Sequence, residues 1–388
     1  MSRFHSHVNT AKAILNQFKG DAPFSSFLKT FFSKEKKYGS RDRKAISSLC
    51  YNYFRLGSWL KDRDIGEKLL VATFLSTNSA NEWLQNEKPE WNNNITLPLI
   101  EKLSLIGFNA DIIFPFNNDL SEDIDITAFN TSFLIQPDLF IRVRPGKEQA
   151  VKSKLTASKI VFREISETCL AFENGTKLED IIDINKDAVI QDVNSQKSGD
   201  FLPKNELPKS PKVWDCCAAS GGKSIMTHDL LSNIQLTVSD VRQSIIQNLH
   251  NRFGVAGIKG YRSFVADLTN PTSLRSSLHN STFDLIICDA PCSGSGTWSR
   301  TPEQLVFFRK EEITRYSKLQ KNIVANALPY LKKGGCFLYI TCSVLKKENE
   351  EVVAFIQSRS DLSLIKAALL KGYDIKADTM FAALFVLQ

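Results

Sequence analysis

Apolar residues recur at helical spacing through the first third of the chain. In "AKAILNQF" (11–18), "RKAISSLCYNYFRLGSWL" (43–60) and "GEKLLVATFLS" (66–76) they fall at i, i+3, i+4 and i+7, the one-sided stripe of amphipathic helices. The pattern predicts an all-helical domain over residues 1–125. Its character changes from 126 to 205, where "LFIRVRPG" (139–146) and "SKIVFREI" (158–165) alternate in the strand manner around a helical "KEQAVKSKL" (147–155). This implies a small α+β domain. A stretch with three prolines, "GDFLPKNELPKSPKVW" (199–214), then leads into the last domain, 206–388.

In that domain strands and helices alternate. The predicted strands are "KVWD" (212–215), "QLTVSD" (235–240), "RSFVAD" (262–267), "FDLIICD" (283–289) and "CFLYIT" (336–341). Helices such as "RQSIIQNLHNRF" (242–253) and "EEITRYSKLQKNIVANALPYLKK" (311–333) lie between them. The alternation implies an α/β fold with a doubly wound, Rossmann-like parallel sheet, whose ligands bind beyond the carboxyl ends of the strands.

Composition adds limits more than direction. The 388 residues are 43% apolar and 23% charged, enough for a sizeable core. A net charge of +7 permits a polyanionic partner without requiring one. The basic stretch "KEKKYGSRDRK" (34–44) reads equally as a phosphate grip or a solvated loop. No apolar run approaches the roughly 18 residues of a membrane span, and the N-terminal residues lack a secretory pattern. The eight cysteines, 50, 169, 216, 217, 288, 292, 336 and 342, form no paired C-x-x-C and have no His partner at zinc-finger spacing. The expectation is a cytoplasmic protein with reduced thiols, no structural metal and no membrane contact.

Candidate chemistry gathers at strand ends. Asp215, Asp240 and Asp267 each close a predicted strand. After Asp215 the small residues of "CCAASGGKS" (216–224) allow close backbone approach to a ligand and open a helix with a partly positive N-terminus. Asp240, about 25 residues on, stands where a nucleoside-binding fold places a carboxylate for ribose hydroxyls. The rival reading is a phosphate loop ending in "GGKS", but Cys217 occupies its first glycine position. An adenosyl site is therefore preferred.

Two thiols also follow strand ends, Cys292 in "DAPCSGSG" and Cys342 in "YITCSV". If their strands are neighbours, both face one cleft. Cys216, Cys288 and Cys336 are read as inert core residues, the commoner state of free cysteine. A thiolate adding to carbon 6 of a pyrimidine turns carbon 5 into an enamine nucleophile, which is covalent catalysis. An acid near N3 steadies the developing charge, and Asp289 is the candidate.

Together these motifs resemble the RsmB/NSUN (Sun, Nol, Fmu) family of S-adenosylmethionine-dependent RNA cytosine-5 methyltransferases. The matching residues are "DCCAASGGKS" (215–224), Asp240, Asp267, "DAPCSGSGTW" (289–298) and "YITCSVLKKENEEVV" (339–353), with "FIRVRPGKE" and "VIQDVNSQ" (189–196) upstream. The resemblance implies Cys342 as nucleophile and Cys292 as the thiol that assists product release, whereas DNA cytosine-5 methyltransferases attack with the Pro-Cys thiol. It implies donor contacts from Cys217, Ala218, Ala219, Ser220, Gly221, Gly222, Lys223, Asp240, Asp267 and Asp289. It also implies an antiparallel hairpin near the C-terminus. The N-terminal helices resemble the NusB-like RNA-binding domain of bacterial members through "RDRKAISSLCYNYFR", pointing to 16S rRNA rather than tRNA, and to a monomer. Two departures stand out: Ser220 replaces the family's usual proline, and "YDIKADTMFAALFVL" replaces the usual Asp-Gly-Phe-Phe segment. The rival class is a non-catalytic RNA-binding assembly factor that keeps the fold. The intact Asp289, Cys292 and Cys342 count against it.

Overall fold

A computed structural model describes residues 3–59, 63–231, 233–359 and 361–388. Two compact units divide the chain: one takes 1–118, 124–136 and 297–310, the other 119–123, 137–296 and 311–388.

The first unit is helical. Helices Arg3–Gln17, Phe24–Lys34, Ser40–Arg55 and Ile65–Ser76 turn their apolar stripes onto one core, rich in phenylalanine, with Phe18, Phe24 and Phe54 packed edge to face. This unit extends past residue 125. Buried Arg55 donates to the carbonyls of Phe133 (2.8 Å) and Ile135 (3.2 Å), and Phe114 packs on Phe129, Phe133 and Trp298. Among the described residues no helix is long and apolar enough to cross a membrane.

The second unit holds two sheets. The smaller, antiparallel one contains β1 (Leu139–Val143), β2 (Arg163–Glu164), β3 (Cys169–Phe172) and β4 (Ala188–Ile190) in the order β2-β3-β1-β4. Helix Glu148–Ala157 covers it through Val151 and Leu155. Alternation in "SKIVFREI" overpredicted a strand here: only Arg163–Glu164 pair, and Val161 stands 87% exposed.

The larger sheet comprises β5 (Lys212–Asp215), β6 (Gln235–Asp240), β7 (Arg262–Val265), β8 (Phe283–Asp289), β9 (Leu331–Thr341), β10 (Leu362–Leu370) and β11 (Met380–Leu387). Its order is β10-β11-β9-β8-β5-β6-β7, with β5 to β9 parallel and β11 antiparallel to both β9 and β10. The expected C-terminal hairpin is present. The order reverses between β5 and β8, the switch point beyond which such sheets bind ligands. The long helix before β9 stops at Ala327 rather than continuing to 333, because Pro329 has no N–H for another turn, and Leu331 already begins the strand. Within this unit the buried carboxylate of Asp229, on helix Gly222–Leu230, receives Arg142 (2.8 Å) and Arg144 (2.7 Å) from the small sheet and the residues after it.

Candidate active site

The turn after β5 is shaped by backbone geometry. Ala219 (φ +46°) and Gly221 (φ +84°) both take the left-handed region, which reverses the chain sharply into helix Gly222–Leu230. A Cβ at Gly221 would come within 2.5 Å of the Phe253 ring, so only glycine fits. A Cβ at Gly222 would meet nothing within 4 Å, leaving the outer side of the turn open beside a positive helix end. Across the turn the Ala219 N–H donates to Asp240 Oδ2 (3.2 Å), while Arg242 donates to Oδ1 from its backbone N–H (3.0 Å) and Nε (3.2 Å). A carboxylate offers about four acceptor sites. Asp240 thus keeps capacity for sugar hydroxyls. Open space at Gly222, the helix end and this carboxylate fit an adenosyl donor. Ser220, where the family's proline would stiffen the loop, is held instead by Arg252, whose Nη1 donates to its Oγ (2.7 Å) and carbonyl (3.1 Å).

Lys223 connects this turn to the neighbouring strand. Its Nζ donates to Asp289 Oδ2 (3.1 Å), at the end of β8, and to Ser195 Oγ (2.8 Å). Asp267 lies at the same edge but is exposed, and its Oδ1 accepts from the N–H (2.8 Å) and hydroxyl (2.7 Å) of Thr269. Asp215 faces inward. It is fully buried, Ser224 Oγ donates to its Oδ2 (2.6 Å), its Oδ1 has no partner, and burial pushes its pKa up to about 7. Of the three acids expected to close strands it is the one turned into the core, and Asp267 falls two residues past the end of β7, which stops at Val265.

The thiol loops meet because β8 and β9 are neighbours, with Asp289 opposite Ile340. Three residues past one and two past the other, Cys292 Sγ and Cys342 Sγ lie 3.2 Å apart, both half-buried. The hydrogen bond with Cys342, then burial, push the Cys292 pKa well above that of an ordinary thiol, so the pair keeps a proton there.

One residue of the rim had no role assigned from the sequence: Glu348. Fully buried, it accepts from the Ser293 N–H (2.9 Å), which follows Cys292, and from Ser343 Oγ (2.9 Å), which follows Cys342. Gln320 Nε2 donates to the same carboxylate (2.8 Å) and to the Pro291 carbonyl (3.1 Å). A single carboxylate therefore fastens both thiol loops. Burial raises its pKa against these donors. It lies within the matching segment "YITCSVLKKENEEVV", but its immediate context, "KKENEE", looks like a solvated helix start, so its burial shows only in the fold.

The fold also gathers Cys216 and Cys288, set aside as inert, with Cys217. Their sulfurs lie within 4.8 Å of one another.

Residues 204–384 match the family model described as 16S rRNA methyltransferase RsmB/F. A Bacillus subtilis (strain 168) protein named probable ribosomal RNA small subunit methyltransferase B is 28% identical over 236 residues, 57% of this chain and 52% of that protein. The Citrobacter koseri protein named ribosomal RNA small subunit methyltransferase B is 32% identical over 177 residues, 45% of this chain and 40% of its own length. The chain thus spans about half or less of the length of these curated relatives. The solved structure of PH0851 shares the fold at TM-score 0.71 and 17% identity, over 99% of both chains. Over residues 204–384, a little under half of the chain, the protein is thus similar to the RsmB/F family of methyltransferases, and its methyl donor is S-adenosylmethionine.

Proposed function

We propose that this chain methylates carbon 5 of a cytosine in RNA, with 16S rRNA as the substrate, through a covalent bond between Cys342 and carbon 6. The observation that carries the reading is the thiol pair, 3.2 Å apart on loops beside the turn that fits an adenosyl donor. Methylation at nitrogen needs no enzyme thiol, because nitrogen brings its own lone pair. The names of the relatives point to ribosomal RNA.

The donor supplies an electrophilic methyl group. Gly222, the helix N-terminus and Asp240 hold it; Cys217, Ala218, Ala219, Ser220, Gly221, Lys223 and Asp267 complete its surroundings. Cys342 Sγ, as thiolate, adds to carbon 6 and its electron pair becomes the new S–C bond, while the ring's 5,6 electrons make carbon 5 nucleophilic. Asp289, kept in place by Lys223, faces N3 and steadies the charge that collects there. Once carbon 5 carries the methyl group, its proton passes to water acting as base, the electrons of that C–H bond restore the 5,6 double bond, and the Sγ–C6 bond breaks to return the Cys342 thiolate, a release that Cys292 assists. Glu348 touches no substrate and acts as a positioning residue for both thiols. The helical unit, with exposed Lys36, Lys37, Arg41, Arg43 and Lys44 at the turn between two helices, serves as the NusB-like RNA-holding part. We place the protein in the cytoplasm as a monomer.

The test is methyl transfer from labelled donor to 16S rRNA, with the product mapped by bisulfite sequencing. Cys292→Ala should accumulate a denaturation-resistant enzyme–RNA adduct and Cys342→Ala should form none. An adduct formed by Cys342→Ala instead reverses the two roles.

A further inference from the structure

Three thiols beneath the donor turn form a second constellation, which shares Cys217 with the donor's surroundings. Cys216 follows β5, and its N–H donates to the Ile287 carbonyl on β8 (2.9 Å), which brings it beside Cys288. Cys217 is the next residue along. Cys216 and Cys288 are fully buried in the same apolar cluster, and Cys217 packs against it half-buried. All three sulfurs converge within 4.8 Å. Neither catalytic thiol belongs to this group.

We propose that Cys216, Cys217 and Cys288 form a binding site for a soft, thiophilic divalent cation of the zinc or cadmium class. At a metal–sulfur distance of about 2.3 Å, three thiolates around one ion stand roughly 3.8–4.0 Å apart. The observed spacing thus needs each sulfur to move inward by at most about half an ångström. Cys288 stands on β8 and Cys216 directly follows β5, its parallel partner, so the backbone is already ordered before the ion arrives. Soft thiolates with no imidazole or carboxylate in the set select d¹⁰ thiophilic ions over magnesium or calcium. Binding releases three thiol protons to solvent and takes the cluster from neutral to a single negative charge. Lys223, bonded to Asp289 next to Cys288, supplies a cation at the same strand end. Access runs through Cys217, the half-buried member.

The probe is Cd²⁺ alone, added to the full chain carrying Cys292→Ser and Cys342→Ser so that the rim dithiol cannot bind it. One equivalent should bind, with an ultraviolet thiolate-to-cadmium band of three-thiolate intensity and a rise in Tm. Adding Cys288→Ala should weaken binding by more than the roughly 10–100-fold that loss of an outer partner costs. Cys336→Ala, a buried thiol in a different apolar cluster, should change nothing. Absence of a saturable band, or a band that survives Cys288→Ala, overturns the site. Should Cys288→Ala fail to fold, alkylation of Cys217 in the parent decides: Cd²⁺ should slow it at least about tenfold, and an unchanged rate overturns the proposal.

Discussion

The donor turn and the thiol rim lie at the same edge of one sheet, yet different physics holds them. The turn is set by backbone conformation: positive φ at Ala219 and Gly221, and no room for a Cβ at Gly221. The rim is tied chiefly by side chains: the buried Glu348 carboxylate bridges Ser293 and Ser343, and the Ser343 hydroxyl also meets those of Ser293 (3.2 Å) and Ser295 (3.1 Å). A site built on backbone tolerates most trimming of side chains and fails when an atom is added. A site built on a buried acid fails when its charge or reach is removed.

Four substitutions sharpen that contrast. The largest effect belongs to the proposed nucleophile: Cys342→Ala should lower kcat by roughly 10⁴-fold or more, the scale seen when a nucleophile is deleted. Single-turnover methyl transfer measures it, and residual activity within tenfold of the parent removes Cys342 from the chemistry.

Glu348→Gln should come next. It keeps shape but loses the charge that grips two loops, so kcat should fall about tenfold to a hundredfold, with the RNA KM little changed, at roughly 1.5–3 kcal/mol for a charged hydrogen bond. Its stability should move the other way. A carboxylate whose folded pKa is raised contributes stability below its unfolded pKa and loses it as pH rises, so the ionised form costs the fold stability near neutrality. Hence Tm of the Gln variant at pH 7 should hold or rise. A matched loss of Tm and kcat would reduce Glu348 to an ordinary core residue.

Gly221→Ala tests the backbone half. A methyl at φ +84° and 2.5 Å from Phe253 costs about 1–3 kcal/mol of local strain. Donor affinity, read by calorimetry with S-adenosylhomocysteine, should weaken several-fold more than RNA affinity.

Smallest for activity is Asp229→Asn, at the far end of the helix that the donor turn opens. Burial alone would raise the Asp229 pKa. The His228 ring at 4.0 Å and the two guanidiniums at hydrogen-bond distance together outweigh burial and hold it at about 2. A folded pKa below the unfolded value of about 3.9 gives stability that is present above pH 4 and lost as pH falls towards 2. Its worth is about 2–3 kcal/mol, so Asn should lower Tm at pH 7 and flatten the acid limb of the stability curve. Thermal melts from pH 2 to 7 check it.

Much of this was legible from the chain alone, for local reasons. Strand β8 and its turn read directly from "FDLIICDAPCSG" because the apolar run ends in turn residues. The helix before β9 was overextended because "LPYLKK" keeps helical composition, and only Pro329 and the pairing of Leu331 with Phe283 end it. Glu348 escaped because a charged run gives no sign of burial. Cys216 and Cys288, 72 positions apart in sequence, gave no sign of proximity until β5 and β8 paired.

By itself the amino-acid order determined what is local: helical stripes, strand runs, the small-residue turn with its positive φ, and thiols next to turn residues. These depend on neighbours a few positions away, where spacing and side-chain size act directly. Tertiary structure alone decided which strand ends became neighbours, and so that Cys292 meets Cys342. It also decided that Glu348 is buried between their loops, that Asp215 turns inward while Asp240 stays with the donor turn, and that three core thiols converge. The reason is the sheet order: parallel pairing brings together residues separated by tens of positions, and burial then sets the charge of whatever it encloses.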